Sequence, residues 1–411
     1  MKIRAAVLHE PGRPVSIEAV ELDEPKADEV LVRVAAAGVC HSDVHLADGA
    51  LGDGRWPMVL GHEGAGVVER VGDRVTRLRA GDRVGFCFVP SCGSCRFCRA
   101  GKPNLCGPAG ENSVRGTLMD GTGRLRLGDG TPLQHGLMTA CFAEHTVVAA
   151  AGAVPLPDGL PLWQAALLGC GVVTGIGAVR NVAGVKAGDS VAVFGCGGVG
   201  LQVVAGARIA GASTIVAVDR MAEKLELARR QGATHVVDGS TEKPVSVIRR
   251  LSDGGVDFAF EVVGRPETIR LAWGAVRPGG TVVVVGLAPK GVDASVPAIE
   301  FLSDKSLKGT YYGSGDPAAE LPGYAELALA GELDLTQVIT HTAPLDGVED
   351  ALERLRRGQG ARTVPAPLLQ GQRQVVGRQQ GDLDGQHADE KVLMAERGHV
   401  SHSGGHGLNG R

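Results

Sequence analysis

Three residues that lie far apart in the sequence have the chemistry of a metal site. Cys40 follows a predicted strand, His62 follows another, and Cys170 lies in a Gly-Cys-Gly segment. Taken singly, a cysteine is more often a small buried apolar residue, and a histidine is more often a hydrogen-bonded core residue. Together they supply three zinc ligands and leave the fourth tetrahedral position open, which is typical of a catalytic zinc site.

Four more cysteines fall within 15 residues and have the spacing C-x2-C-x2-C-x7-C. They are Cys92, Cys95, Cys98 and Cys106, in a segment that we delimit as 87–110 and call the four-cysteine lobe. Four thiolates fill the coordination sphere of zinc, so this site is predicted to be structural. An iron–sulfur cluster or a pair of redox disulfides are the alternatives that the spacing leaves open.

A glycine-rich turn predicts dinucleotide binding. Residues 195–200 fit the pattern G-x-G-x-x-G between a predicted strand and a predicted helix, which is the context the motif requires. Asp219 ends the next strand, where a carboxylate binds the ribose hydroxyls and repels a 2′-phosphate, so NAD is favoured over NADP. The neighbouring Arg220 leaves strict selectivity open. The predicted cofactor residues in this region are Gly195, Gly197, Gly198, Val199, Gly200, Asp219, Arg220, Lys224 and Val263.

The surrounding segments indicate which elements position these residues. Up to about residue 150, short Val-rich runs separated by Gly, Asp and Pro predict β-strands. From about residue 172, near-continuous apolar strands alternate with helices, as in a parallel sheet buried on both faces. We therefore predict an α/β protein with a β-rich part followed by a doubly wound parallel sheet. At 411 residues, two or three domains are expected.

Composition excludes several other classes of protein. The net charge of −4 does not suit a general nucleic-acid binder, and the sequence lacks the uninterrupted apolar stretch of about 18 residues expected of a membrane span. The N-terminal apolar run is too short for a signal peptide. Clustered cysteines suit a reducing compartment. We therefore predict a cytoplasmic protein that binds neither nucleic acid nor membrane.

In these motifs the chain resembles the zinc-dependent medium-chain alcohol dehydrogenases, from about residue 3 to 364. The family's order is matched by Gly38-Val39-Cys40-His41-Ser42-Asp43, Gly61-His62-Glu63-Gly64, the four-cysteine lobe, Gly169-Cys170-Gly171-Val172-Val173-Thr174-Gly175, the glycine-rich turn and Asp219. The resemblance implies a GroES-like catalytic domain (1–171), a Rossmann domain that binds NAD (172–313) and a return segment completing the catalytic domain (314–364). The Gln-, Gly- and His-rich tail, 365–411, lies outside it and is predicted to be disordered.

The resemblance also implies roles for single residues. Cys40, His62 and Cys170 match the ligands of the catalytic zinc, and the lobe matches a structural zinc, giving two zinc ions per chain. The other matches are Glu63 (a carboxylate near the metal), Asp43 (the acid that holds the ligand histidine), Ser42 and His45 (a proton relay through the cofactor ribose), His41 and Arg362 (the cofactor pyrophosphate) and Thr174 (the nicotinamide).

The implied reaction is reversible oxidation of primary or secondary alcohols, with hydride transfer to NAD. Polyols or a thiol–formaldehyde adduct are alternative substrates for the same fold. A remote alternative is a zinc-ribbon interaction module that uses Arg96, Arg99 and Lys102 of the lobe. Residues 307–313 resemble a last Rossmann strand near a two-fold contact, so a homodimer or homotetramer is expected.

Overall fold

The computed structural model describes residues 1–51 and 56–365 of the chain. The tail predicted to be disordered therefore lies outside the described residues, apart from the backbone of Pro365. The β-rich part and the parallel α/β part that the sequence predicts are both present.

The N-terminal part forms a closed barrel and a five-stranded sheet, with strand orders β1-β2-β7-β8-β4 and β10-β6-β5-β3-β9. The strands are β1 (Lys2–Leu8), β2 (Ser16–Leu22), β3 (Glu29–Gly38), β4 (Met58–Val59), β5 (Glu63–Val71), β6 (Arg83–Phe86), β7 (Leu125–Arg126), β8 (Pro132–His135), β9 (His145–Ala149) and β10 (Ala153–Pro155). The same part contains three short helices, α1 (His41–Ala47), α2 (Arg96–Arg99) and α3 (Gly107–Arg115).

The pairing of β3 with β5 brings the first two predicted metal ligands together. These strands are antiparallel, and Gly38 at the end of β3 lies opposite Glu63 at the start of β5. Cys40 follows the end of β3 and His62 precedes β5, so both residues lie at the same end of these two strands.

The parallel sheet has the strand order β13-β12-β11-β14-β15-β16. Its strands are β11 (Ser190–Phe194), β12 (Thr214–Asp219), β13 (His235–Asp238), β14 (Val256–Glu261), β15 (Val276–Val284) and β16 (Ser306–Gly309), with the helices α6 (Gly198–Ile209), α7 (Ala222–Gln231), α8 (Pro244–Leu251) and α9 (Pro266–Ala275). Successive residues of β11, such as Val193 and Phe194, lie in different apolar clusters. Both faces of this strand are therefore buried, which explains its uninterrupted apolar sequence. The strand order reverses at β11, where such sheets bind nucleotides.

A helical run from Leu162 to Ala183 joins the two parts and contains α4 (Leu162–Ala165), α5 (Val173–Gly177) and π-helical turns. By length and composition alone this run could cross a membrane, which the sequence did not lead us to expect. However, 78% of its most apolar window is buried inside the structure, as for the core helix of a globular fold. The domain boundary predicted at 171/172 lies within this continuous run.

The return segment packs against the N-terminal part. It contains α10 (Pro317–Leu329), β17 (Ile339–Ala343), α11 (Val348–Arg356) and β18 (Arg362–Pro365), and β17 and β18 form a parallel pair. The Val39 N–H donates to the Thr363 carbonyl at 2.9 Å, beside Cys40. Leu352 and Leu355 of α11 lie in the same apolar cluster as Val44 of α1. The return segment therefore holds Arg362 next to the predicted metal ligands.

Candidate active site

The three scattered metal-site residues converge in the fold. The ligand atoms of Cys40, His62 and Cys170 all lie within 4.8 Å of one another, and all three side chains are buried. His62 Nε2 lies 3.3 Å from Cys170 Sγ. Together with the charge of Arg362, a hydrogen bond from the Cys170 thiol places the pKa of Cys40 well below its ordinary value. Two sulfurs and one imidazole nitrogen at this spacing are a donor set that fits zinc with one position left open.

Asp43 organises two of these ligands from one buried carboxylate. Its Oδ1 contacts His62 Nδ1 at 2.9 Å and accepts the Gly61 N–H at 3.3 Å, and its Oδ2 accepts the Cys40 N–H at 3.0 Å. The last contact arises because Cys40 caps α1 and Asp43 is its third residue, so the side chain reaches back to the cap. With Nδ1 held by Asp43, His62 presents Nε2 to the metal position.

Burial and the Asp43 charge act in opposite directions on His62. Burial lowers the pKa of the imidazole, but the Asp43 carboxylate and, less strongly, Cys40 together more than offset this and raise the pKa well above its ordinary value. By accepting a hydrogen bond from Nδ1, the carboxylate makes Nε2 more basic, which strengthens Nε2 as a metal ligand.

Glu63 and Arg362 form a buried ion pair beside the ligands. Glu63 Oε1 accepts the Gly171 N–H at 2.8 Å, and Glu63 Oε2 lies 3.3 Å from Arg362 Nε. Burial raises the pKa of Glu63 to about 7, although the Arg362 charge acts to lower it. Within the described part of the chain, Glu63 Oε2 and Arg362 Nη2 are buried without a hydrogen-bond partner. Unpaired polar atoms in such a place indicate a site built to receive a polar ligand.

The glycine-rich turn has the geometry that its sequence predicts. Gly195 has φ of +98°, and a Cβ on Gly200 would lie 1.8 Å from the Gly195 carbonyl oxygen, so both positions require glycine. The Cys196 N–H donates to Asp219 Oδ2 at 2.8 Å, which draws the acidic residue towards the turn. A Cβ on Gly198 would meet Arg362 Nε at 2.5 Å. Arg362 thus contacts Glu63 on one side and the start of α6 on the other.

The remaining predicted residues surround this centre at different distances. Ser42 Oγ lies 3.8 Å from Cys40 Sγ, and Thr174 is half-buried on α5, four residues after Cys170. His41 is exposed and His45 is half-buried on α1, with their rings 6.4 Å apart. Three of them lie near the glycine-rich turn. Val263 packs on Gly195, Arg220 is exposed and Lys224 is half-buried.

The sulfurs of the four-cysteine lobe also converge within 4.8 Å of one another. The Cys95 N–H donates to Cys92 Sγ and the Cys92 N–H donates to Cys106 Sγ, each at 3.3 Å. Backbone N–H groups, that of Ser94 first, lower the pKa of Cys92 to about 6. This donor set fits a closed structural zinc site.

Sequence reasoning did not identify an aromatic pair next to the metal ligands. The Phe88 ring packs edge-on against His62, with centroids 5.2 Å apart, and stacks on Tyr312 at 4.1 Å. Aromatic residues make up only 3% of the chain, so the Tyr311-Tyr312 pair between glycine-containing turns was the available signal.

The fold and the site together define a class of protein: a dehydrogenase that combines a buried Cys₂His metal site with a dinucleotide crevice. Residues 26–158 match the alcohol dehydrogenase GroES-like domain family, and residues 198–330 match the zinc-binding dehydrogenase family.

Individual relatives agree with these matches. The chain is 41% identical, over 367 residues, to an S-(hydroxymethyl)glutathione dehydrogenase of Escherichia coli O1:K1 / APEC, covering 89% of this chain and 99% of that protein. A crystal structure of an alcohol dehydrogenase zinc-binding domain protein from Burkholderia ambifaria is 36% identical, with a TM-score of 0.85, covering 89% of this chain and 99% of that one. Benzyl alcohol dehydrogenase from Acinetobacter calcoaceticus is 32% identical over the same shares, with a TM-score of 0.84.

The chain belongs to the zinc-dependent medium-chain alcohol dehydrogenase family. The predicted fold class, the zinc and NAD cofactors and the enzyme class are thereby confirmed.

Proposed function

We propose that this alcohol dehydrogenase acts on substrates with a terminal CH₂OH group, oxidising them reversibly to the aldehyde at the Cys40, His62 and Cys170 centre. The observation that carries the proposal is the convergence of these three donors within 4.8 Å, next to an arginine that also contacts the dinucleotide turn. An alcohol oxygen at these three donors and a nicotinamide in the adjoining crevice would then lie within reach of one another. Zinc, when bound, lowers the pKa of the alcohol hydroxyl, and NAD accepts the hydride.

Asp43 and Glu63 keep the centre in a defined geometry. Asp43 fixes the tautomer of His62 and the backbone of Cys40 through its three contacts. Glu63 holds the backbone after Cys170 through Oε1, and its second carboxylate oxygen, Oε2, lies 3.3 Å from Arg362 Nε without a hydrogen-bond partner. Because all of these groups are buried, water is excluded and their electrostatic contacts are strengthened.

Ser42 and His45 are proposed to remove the hydroxyl proton. Ser42 Oγ, 3.8 Å from Cys40 Sγ, would receive the proton at the N-terminal end of α1. His45 lies three residues further on the same helix, is half-buried, and is proposed to pass the proton to solvent. For H45Q, a shift of the pH–rate profile and partial rescue by imidazole buffer are expected; an unchanged profile without rescue would exclude this relay.

The cofactor is proposed to lie along the carboxyl end of β11. The N–H groups at the start of α6 and the Arg362 guanidinium, which lies against Gly198, would hold the pyrophosphate. Asp219, which accepts the Cys196 N–H, would bind the adenosine ribose. Thr174 and Val263 would border the nicotinamide half, and Arg220 and Lys224 would supply positive charge near the phosphates. Burial lowers the pKa of His41, so this residue would offer a neutral ring nitrogen there. Asp219 favours NAD over NADP even with Arg220 beside it.

A specific observation favours a second substrate candidate. One relative, 41% identical to this chain, is an S-(hydroxymethyl)glutathione dehydrogenase, and its name identifies a thiol–formaldehyde adduct as its substrate. Such an adduct also presents a terminal CH₂OH group, so the same centre is competent for both reactions. The difference would lie in the groups that hold the thiol part.

The proposal is tested by NADH formation with ethanol, hexanol, benzyl alcohol and a mixture of formaldehyde and glutathione. We expect kcat/KM for at least one simple primary alcohol to exceed that for a secondary alcohol of equal carbon number. A preference of at least tenfold for the formaldehyde–glutathione mixture would select the second candidate. Turnover of secondary alcohols alone would contradict both.

We also propose the three-part organisation 1–171, 172–313 and 314–364, a homodimer or homotetramer, and a cytoplasmic location. The return segment packs on the N-terminal part, and β16 is an edge strand that carries the exposed Leu307. None of the nine cysteines, all of which lie within the described residues, forms a disulfide, as suits a reducing compartment. Light scattering of the purified chain tests the assembly, and a monomer would refute it.

A further inference from the structure

Tyr312 adopts a backbone conformation that is costly for its residue type. Its φ is +55°, and Gly313 and Ser314 follow with φ of +73° and +56°. Side chains other than glycine rarely occupy this left-handed region, and two such residues flanking a glycine are kept only where the surroundings require them. The strained turn therefore needs a structural or functional reason.

The strained turn directs the Tyr312 side chain to the backbone of a metal ligand. The buried Tyr312 hydroxyl donates to the carbonyl oxygen of Gly169, the residue before Cys170. The Tyr312 ring also stacks on Phe88, which packs edge-on against His62. One side chain thus supports the backbone of Cys170 directly and the ring of His62 through Phe88.

Cys170 is held from both neighbouring residues. On its N-terminal side, Gly169 accepts from Tyr312 and lies so close to β6 that a Cβ would be 2.0 Å from the Phe86 carbonyl oxygen. On its C-terminal side, the Gly171 N–H donates to Glu63 at 2.8 Å. Loss of the tyrosine hydroxyl would leave the first of these two supports to packing alone.

The same turn is anchored in the four-cysteine lobe. Asn104, which lies between Cys98 and Cys106 and is 3% exposed, donates from Nδ2 to the Tyr311 carbonyl oxygen at 2.9 Å. The turn also packs on α5, where a Cβ on Gly177 would lie 2.7 Å from Gly313. A continuous set of contacts therefore runs from the lobe through Tyr311 and Tyr312 to Gly169.

We propose that Tyr312 is a positioning residue for the ligand Cys170, and that Asn104 couples the four-cysteine lobe to the catalytic centre through the Tyr311-Tyr312 turn. The lobe then does more than stabilise its own loop, because its integrity sets the placement of a catalytic ligand more than 60 residues away in sequence. The inference rests on the proposed role of Cys40, His62 and Cys170 as metal ligands.

The test uses Y312F, which keeps the ring and removes the hydroxyl, and N104A, in the zinc-loaded enzyme. Matched controls are Y324F, whose hydroxyl bonds Glu320 at 2.8 Å, and N112A, whose amide donates to Pro108 at 3.0 Å near the lobe. The readouts are the rate at which a chelator extracts the catalytic zinc, the absorption spectrum of the enzyme with cobalt at that site, kcat, KM and thermal stability.

For Y312F we expect about tenfold faster zinc extraction, shifted cobalt absorption bands and a lower kcat with KM for NAD within about twofold. N104A should change the same readouts in the same direction, and the double variant should change them by less than the product of the single effects. The controls should retain wild-type spectra. Wild-type extraction rates and spectra in Y312F, or equal changes in Y324F, would overturn the inference. A wild-type enzyme that binds one zinc ion per chain would instead contradict the proposed function.

Discussion

Replacing Asp43 by asparagine perturbs the catalytic centre through a residue that contacts no substrate. Its carboxylate is fully buried and contacts three groups: His62 Nδ1 and the Gly61 N–H at Oδ1, and the Cys40 N–H at Oδ2. Asparagine has nearly the same shape, so cavity formation does not contribute. However, it offers one acceptor atom where the carboxylate offers two.

The size of the effect follows from this count. If the amide oxygen keeps His62 and Gly61, the amide nitrogen faces the Cys40 N–H as donor against donor. Loss of a hydrogen bond to a charged acceptor costs about 1.5–3 kcal/mol. Taking about 2 kcal/mol, the affinity for the catalytic zinc should fall roughly thirtyfold, since each 1.4 kcal/mol is a factor of ten. This lies within the range found for other residues that orient metal ligands.

Zinc retained per chain after dialysis against graded chelator concentrations measures this change. D43N should lose one zinc ion at lower chelator than the wild type, keep the lobe zinc and lose NADH formation in parallel. D28N is the control, because Asp28 is exposed and paired with Arg74, and it should behave as the wild type. Wild-type zinc retention in D43N would refute the positioning role of the carboxylate.

Three further predictions concern other parts of the fold. D219N should raise the ratio of NADP to NAD binding affinity by at least about tenfold, because one like charge near the 2′-phosphate is removed; calorimetric titration measures it, and an unchanged ratio would mean that Asp219 does not select the cofactor. G200A should weaken NAD binding by more than about tenfold, because its Cβ would lie 1.8 Å from the Gly195 carbonyl oxygen; wild-type NAD affinity in the same titration would contradict the close approach. Burial, with a smaller effect of the Arg124 charge, lowers the pKa of His135 to about 3. Below about pH 6.5 the unfolded chain therefore binds a proton that the folded chain does not, so the free energy of unfolding decreases as the pH is lowered. Between pH 7 and pH 5 this group should remove about 2 kcal/mol of stability. Urea unfolding should show that this loss is absent in H135Q, and equal losses in both proteins would show that His135 is not the cause.

The parallel sheet could be predicted closely because its signals are local. β12 and β13 begin and end where the apolar runs 214–219 and 235–238 predict, and α7 ends before Gly232, which has φ of +111°. The apolar run 280–286 predicts a strand less accurately, because β15 starts earlier, at Val276, and ends at Val284. Its pairing with β14 changes register near Val256, which the pattern of apolar residues does not reveal.

The residue types of the site were predictable, and so was the support of His62 by Asp43, but the contacts that reach the site from distant parts of the chain were not. Two cysteines and a histidine with suitable motifs indicate a zinc site, and the Gly38–Glu63 register then brings two of them together. The contact of Arg362 with Gly198 and the bond from Tyr312 to Gly169 join residues more than 140 positions apart. Such contacts depend on how the two parts of the chain pack, and no local pattern encodes them.

The role of Cys40, His62 and Cys170 is tested most directly by the zinc content per chain of the wild type and of C170A, measured on the same preparations as NADH formation from benzyl alcohol and hexanol. Two zinc ions and turnover are expected for the wild type, and one zinc ion without turnover is expected for C170A. Equal zinc content in the two proteins, or turnover by C170A, would contradict the assignment of Cys40, His62 and Cys170 as the catalytic centre.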